Sequence, residues 1–226
     1  MPSISPPAAP DCHVVELRQY TLHPGQRDTL IELFEREFVD SQEALGINVL
    51  GQFRDQDDAD RFVWLRGFAD MAARGDTLPA FYGGPAWAAH RSAANATMVD
   101  SDDVLLLRPA WDGAALPAQS RREGAAKGVL RALVLHLEAP AGEELLALCR
   151  AAAGLAWYVT EAAPNNFPRL PLREGEHVLL ALALFGDDVA VGEGWARDIN
   201  ARLQPWLARP TQSLRLAPTT RSALHA

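Results

Sequence analysis

The chain is poor in cysteine and in lysine. Only Cys12 and Cys149 occur among 226 residues, far apart and outside any CxxC pair. That spacing speaks against a cysteine metal cage and a disulfide framework; two free thiols in a reducing compartment are expected, and one long-range disulfide is the alternative. Lys127 is the only lysine among 21 basic residues; no chemistry follows from that habit. No stretch reaches the ~18 consecutive apolar residues that a membrane span needs. HExxH, GxGxxG, GxSxG and Walker A patterns are all missing. Their absence speaks against zincin, Rossmann, α/β-hydrolase and P-loop chemistry, and no metal site is expected.

A basic patch is missing too. The net charge is −8, and residues 13–110 alone hold 16 acidic and 9 basic residues. Phosphate backbones need clustered positive charge, so nucleic acid is not an expected partner. Met1 to Asp11 is rich in proline and alanine but lacks a basic start and an apolar core. It does not read as a secretory signal. The expectation is a disordered tail on a cytoplasmic protein.

What is present is globular in composition, with 48% hydrophobic and 22% charged residues. The length allows one domain or two small ones. Residues 14–22 suit a strand, and Pro24-Gly25 ends it. From Arg27 to Ala44, apolar residues recur at helical spacing and form one buried stripe. Gly46 is a helix stop. Residues 47–53 and 61–68 read as antiparallel strands around an acidic turn. Two short helices follow near 70–81 and 85–95, with Pro85 in the first turn of the later one. Residues 103–108 read as a fourth strand.

This order, β-α-β-β-α-β, is that of a ferredoxin-like unit. It recurs: strand 129–137, helix 143–153, strands 155–161 and 176–185, helix 193–207, strand 212–217. Gly154 follows its helix as Gly46 follows the first. The predicted layout is a tail over 1–12, a first repeat over 13–110, a linker over 111–128, a second repeat over 129–220 and a short tail over 221–226. The fold class is α+β. Each four-stranded sheet leaves one face for burial against another sheet. Two sheets closing face to face make a small α+β barrel, and the pairing can lie within one chain or between two.

Particular segments carry a family resemblance. Glu16-Leu-Arg-Gln-Tyr-Thr-Leu before Pro24-Gly25, Arg61-Phe-Val-Trp-Leu-Arg-Gly-Phe68 and Ala80-Phe-Tyr-Gly-Gly-Pro-Ala-Trp87 resemble NIPSNAP domains. So do His90-Arg91, Ala94-Asn95 and Asp100-Ser-Asp102, and the segment Asn165 to His177 is similar to the C-terminal half of bacterial NIPSNAP proteins. The resemblance implies a dimeric α+β barrel, and so a homo-oligomer. It implies no common activity. The wider superfamily includes small monooxygenases, haem enzymes and stress-response proteins.

Strand parity sorts candidate site residues. Glu16, Arg18 and Tyr20 share one face of their strand, and Phe62, Trp64, Arg66 and Phe68 share one face of theirs. The aliphatic faces are expected to meet the helices, and the mixed faces to line the barrel interior. Two buried arginines with one glutamate leave surplus positive charge, which suits an anionic ligand. Arg18, Tyr20, Trp64, Arg66 and Glu16 are therefore the candidate binding residues. The plainer alternative is an ion network that only holds the barrel. If Phe185 matches Phe68, then Leu179, Ala181 and Ala183 leave room in the second repeat. His90 and Tyr82 are the candidate proton-transfer residues, His90 because its ordinary pKa lies near 6.5. The proline-stiffened loop around Asn165 to Arg173 reads as a lid or a dimer contact.

The functional expectation is a barrel that binds a small, partly apolar, anionic molecule and acts without a cofactor if it is an enzyme. The alternative is a non-enzymatic scaffold dimer with a filled interior. A haem-binding barrel enzyme is a further alternative, because one histidine can ligate haem without any motif.

Overall fold

The computed structural model describes residues 12–117, 126–186 and 189–226. Most of the expected N-terminal tail, and the middle of the expected linker, lie outside the described residues. The strands are β1 (Val14–Leu22), β2 (Asn48–Asp55), β3 (Arg61–Phe68), β4 (Met98–Pro109), β5 (Val129–Leu137), β6 (Ala156–Thr160), β7 (His177–Phe185) and β8 (Gln212–Pro218). The α-helices are α1 (Arg27–Leu33), α2 (Val39–Glu43), α3 (Met71–Tyr82), α4 (Pro85–Asn95), α5 (Glu143–Arg150) and α6 (Val189–Leu203). A π-helical turn, Phe34–Phe38, joins α1 to α2, and a 3-10 turn, Gln204–Trp206, follows α6.

Local chemistry explains the boundaries. The Pro24-Gly25 turn needs the positive φ of 75° that Gly25 adopts, and Gly46 ends the first helical run at φ 86°. Asp70 caps α3 by accepting from the Ala73 N–H at 2.7 Å. Pro85 opens α4, where its missing N–H costs nothing.

The eight strands close into one barrel in the order β1-β3-β2-β8-β5-β7-β6-β4. Each repeat supplies four antiparallel strands. The repeats join along β2–β8, with Phe53 opposite Pro218, and along β4–β6, with Leu107 opposite Thr160. Their internal registers correspond: Val14 faces Phe68 as Val129 faces Phe185. Of the two pairings the sequence leaves open, the chain uses the one within itself, and no second copy is needed to complete the barrel.

The expected assignment of faces is inverted. Val15, Leu17, Val63 and Leu65 point inward and pack with Leu105, Leu107, Val134, Leu180, Leu182 and Leu216. Glu16, Arg18, Tyr20, Trp64 and Arg66 lie on the outer face of the sheet, under the helices of the first repeat. An eight-stranded barrel is just wide enough for side chains to fill it. The polar partners of the arginines come instead from the helices that cover the outer face. The lumen is mainly aliphatic and full, and it is not the ligand site the sequence suggests. The second repeat follows the same rule. Leu179 and Ala181 do match the register of Phe62 and Trp64, but they pack outward against Leu145, Cys149 and Ile199.

The chain end belongs to this core. Ser222, Ala223, Leu224 and His225 are buried, with Leu224 in the barrel cluster.

Candidate functional site

The site lies between the first-repeat sheet and its helices. Its centre is Glu16, which is fully buried. Three buried arginines converge on it. Arg18 Nη1 donates to Oε2 at 2.7 Å, Arg66 Nε to Oε2 at 2.8 Å, and Arg74 Nε to Oε1 at 2.8 Å. Arg18 and Arg66 come from neighbouring strands, and Arg74 comes from α3. Arg74 is in helical phase with Leu78 and Phe81, and these three form the buried stripe of α3. That phase is the sequence signal that could have found it.

The outer ligands of the arginines are polar but neutral. Arg18 Nε donates to the Tyr20 hydroxyl at 3.0 Å. Arg66 Nη1 donates to Gln42 Oε1 at 3.2 Å and to the Tyr82 hydroxyl at 3.4 Å. Arg74 Nη1 donates to Asn165 Oδ1 at 3.2 Å and also to Asn166 Oδ1. Aromatic faces complete the shell: the Arg66 guanidinium lies 5.2 Å from the Trp64 ring centre, and that of Arg18 lies 5.6 Å from it. Burial by itself would raise the Glu16 pKa. The guanidiniums of Arg66, Arg18 and Arg74 outweigh it and hold the carboxyl well below the usual range. Burial pushes the Tyr20 phenol up, partly offset by Arg18.

One carboxylate does not balance three guanidiniums. Several buried donors also lack a hydrogen-bond partner: Trp64 Nε1, Arg74 Nη2 and Arg66 Nη2. The last lies 2.8 Å from Glu16 Oε2 but is not aligned for a bond. Beside this cluster is a cavity of about 30 Å³, walled by aromatic rings from the π turn, α3 and α4, with Tyr20 and Trp64 as its floor. Leu30, Phe34, Phe38 and Gln42 all line it. They are spaced four residues apart. In an unbroken α-helix each such step rotates by about 40°, so the four would drift by about 120°. The wider π turn takes that rotation back and keeps all four over the cavity. Such turns recur at functional sites.

The sequence candidates separate here. Glu16, Arg18, Tyr20, Trp64, Arg66 and Tyr82 come together. His90 does not: its Nε2 lies 3.2 Å from Glu37, and its ring meets the edge of Phe38. No histidine lines the cavity, so its walls offer no imidazole to a haem iron. Among the described residues, no cluster of His, Cys, Asp or Glu could hold a metal ion. The sequence reading missed Arg74 and Gln42. It did single out the Asn165 loop, which arrives from the second repeat. Phe167 stacks on Tyr82, and Leu170 and Leu172 pack against the same aromatic cluster.

This is an α+β barrel made of two ferredoxin-like repeats, with a buried cationic cluster in the first. Residues 15–112, the span of the first repeat, match the NIPSNAP family model. No curated protein matches the chain. A solved structure of inferred monooxygenase activity, from Fusobacterium nucleatum, is 10% identical with a TM-score of 0.61 and covers 91% of each chain. Another, from Lactobacillus acidophilus, is 12% identical with a TM-score of 0.54, covering 96% of this chain and 100% of that one. These two share the fold across both repeats. An uncharacterised NIPSNAP domain protein from Burkholderia xenovorans is 18% identical over 43% of this chain and 94% of its own, with a TM-score of 0.39. No helix among the described residues is long and apolar enough to cross a membrane.

Proposed function

We propose that the first repeat binds a small aromatic molecule carrying one anionic oxygen, between its helices and its sheet. The observation that carries this reading is the surplus of positive charge: three buried guanidiniums share the single carboxylate of Glu16. A buried charge surplus is costly, and an anionic guest relieves it. The groups without a hydrogen bond, Trp64 Nε1 and Nη2 of Arg66 and of Arg74, are all donors. The ring-lined cavity suits an aromatic body. A space of about 30 Å³ holds only a water-sized guest, so a ring enters when the half-buried Tyr82 and Trp87 swing outward. In an enzyme of this kind Tyr82 is the proton-moving group, and Arg18 and Arg66 hold the anion. The solved neighbours of inferred monooxygenase activity make one reaction the first to try: oxidation of a phenolate by O2 without a cofactor, in which one oxygen enters the ring, the ring supplies the electrons and becomes a quinone, and the other oxygen leaves as water. A cytoplasmic homo-oligomer remains part of this reading, on the resemblance alone.

The test is a titration with benzoate and salicylate against neutral benzamide, read by calorimetry. Saturable binding of the acids, lost in Arg66→Gln, supports the reading. Equal binding of benzamide, or no binding by any of the three, overturns it.

One observation favours a second reading: the barrel lumen is filled. A non-enzymatic scaffold needs only that. It predicts that Arg66→Ala loosens the fold. Under the binding reading the loss of stability is clearly smaller than that of Glu16→Gln, because Glu16 keeps Arg18 and Arg74.

A further inference from the structure

A larger cavity lies elsewhere, on the outer face of the barrel where β4 meets β6, and has a volume of about 440 Å³. That is within the usual range for small-molecule sites. Its origin is an asymmetry between the repeats. The first repeat covers its sheet with three helical segments over residues 27–43, whereas the second has only the eight residues of α5 at that point. The β6–β7 connection walls the uncovered side.

The floor is apolar, with Leu106, Val159 and Leu146 among its residues. The charged groups fall into two sets. Arg173 and Glu176 are committed: Arg173 Nη1 donates to Asp103 at 3.0 Å, and Arg173 Nη2 donates to Glu176, which also accepts from Arg209 at 3.0 Å. Arg108 and Glu174 line the cavity and make no ion pair with any described residue. Glu161 spends one oxygen on the Ala163 N–H at 2.8 Å and keeps the other. Arg108 pairs with Val159 across the β4–β6 ladder. Glu161 is the first residue past β6, and its N–H donates to the Leu106 carbonyl at 2.9 Å, which sets it beside the strand that carries Arg108. The walls thus offer one open cation and open carboxylates over an apolar floor.

We propose that this cavity is a second ligand site, for a zwitterionic amino carboxylate with an apolar side chain. Arg108 takes the carboxylate as a forked pair of hydrogen bonds. Glu161, with Glu174, takes the ammonium group, and the side chain lies on Leu106 and Val159. A plain carboxylic acid would leave the glutamates unmatched and repelling it. A plain amine would leave Arg108 unmatched. The site shares no charged residue with the Glu16 cluster and stands whether or not that cluster binds anything.

The probes are L-leucine and L-phenylalanine, set against N-acetyl-leucine, which lacks the ammonium, and leucinamide, which lacks the carboxylate. Binding is followed by amide and arginine Nε shifts in two-dimensional NMR, which tolerates weak affinity. The expected result is saturable shifts at Arg108, Val159 and Glu161 with the free amino acids. Each single-charge derivative binds at least about tenfold more weakly. Arg108→Gln and Glu161→Gln lose binding but keep the wild-type spectrum elsewhere, since both residues are on the surface of the cavity. Derivatives that bind as well as leucine overturn the proposal. So do amino acids that shift none of these signals, or variants that bind normally.

Discussion

The ring of Phe167 stacks on that of Tyr82, with centres 5.8 Å apart and planes within 21°. Phe167 belongs to the second repeat and Tyr82 to the first. Next to this pair, Asn165 and Asn166 accept hydrogen bonds from Arg74. The second repeat therefore closes the candidate site of the first. Phe167 is almost fully buried, so Phe167→Ala is expected to cost about 3–5 kcal/mol. It should also speed amide exchange across Met71–Tyr82 relative to the barrel strands. Urea unfolding and hydrogen exchange check both, and protection of α3 equal to wild type would refute the lid role.

Among the described residues, Glu16 is the only acid that the three buried arginines share. Removing one partner of a buried ion network leaves the remaining charge uncompensated, which costs about 3–5 kcal/mol. Glu16→Gln is expected to fall in that range by urea unfolding. Arg66→Ala should cost less, because Glu16 keeps two guanidiniums.

Acid should weaken the fold through the same residue. The Glu16 carboxyl has a lower pKa folded than its ordinary 4.5. Its stabilisation is complete above that value and is lost as pH falls below it toward the folded pKa. The urea midpoint should be flat with respect to this group from pH 7 to about 5 and fall below about 4.5. A midpoint that rises on acidification through pH 4 would contradict the assignment.

Cys149 is 1% exposed, and burial pushes its thiol up to about 11. At pH 8 it should resist a thiol reagent in the folded protein and react fully in urea. Mass spectrometry of the labelled protein reads this directly. Rapid native labelling at Cys149 would mean that α5 opens readily from the sheet.

Much of the fold was legible in the chain. The element order, the duplication, the Gly46 stop and the Pro85 start all follow from local periodicity and turn chemistry. The match of Phe185 to Phe68 was legible too, because duplicated registers repeat. The candidate residues themselves were partly legible: Glu16, Arg18, Tyr20, Trp64, Arg66 and Tyr82 do assemble.

What the alternation along β1 and β3 determined was that two faces exist and which residues share each. It did not determine which face looks inward. Both faces are buried, one by the opposite wall of the barrel and one by helices, so hydrophobicity alone does not rank them. Only the tertiary structure decides, because it shows where partners for a guanidinium are: Gln42, Tyr82 and Asn166 all come from helices or a distant loop. Arg74 joined the cluster, His90 left it for Glu37, and the barrel closed within one chain for the same reason. Each outcome depends on contacts between segments far apart in sequence, which local spacing does not encode.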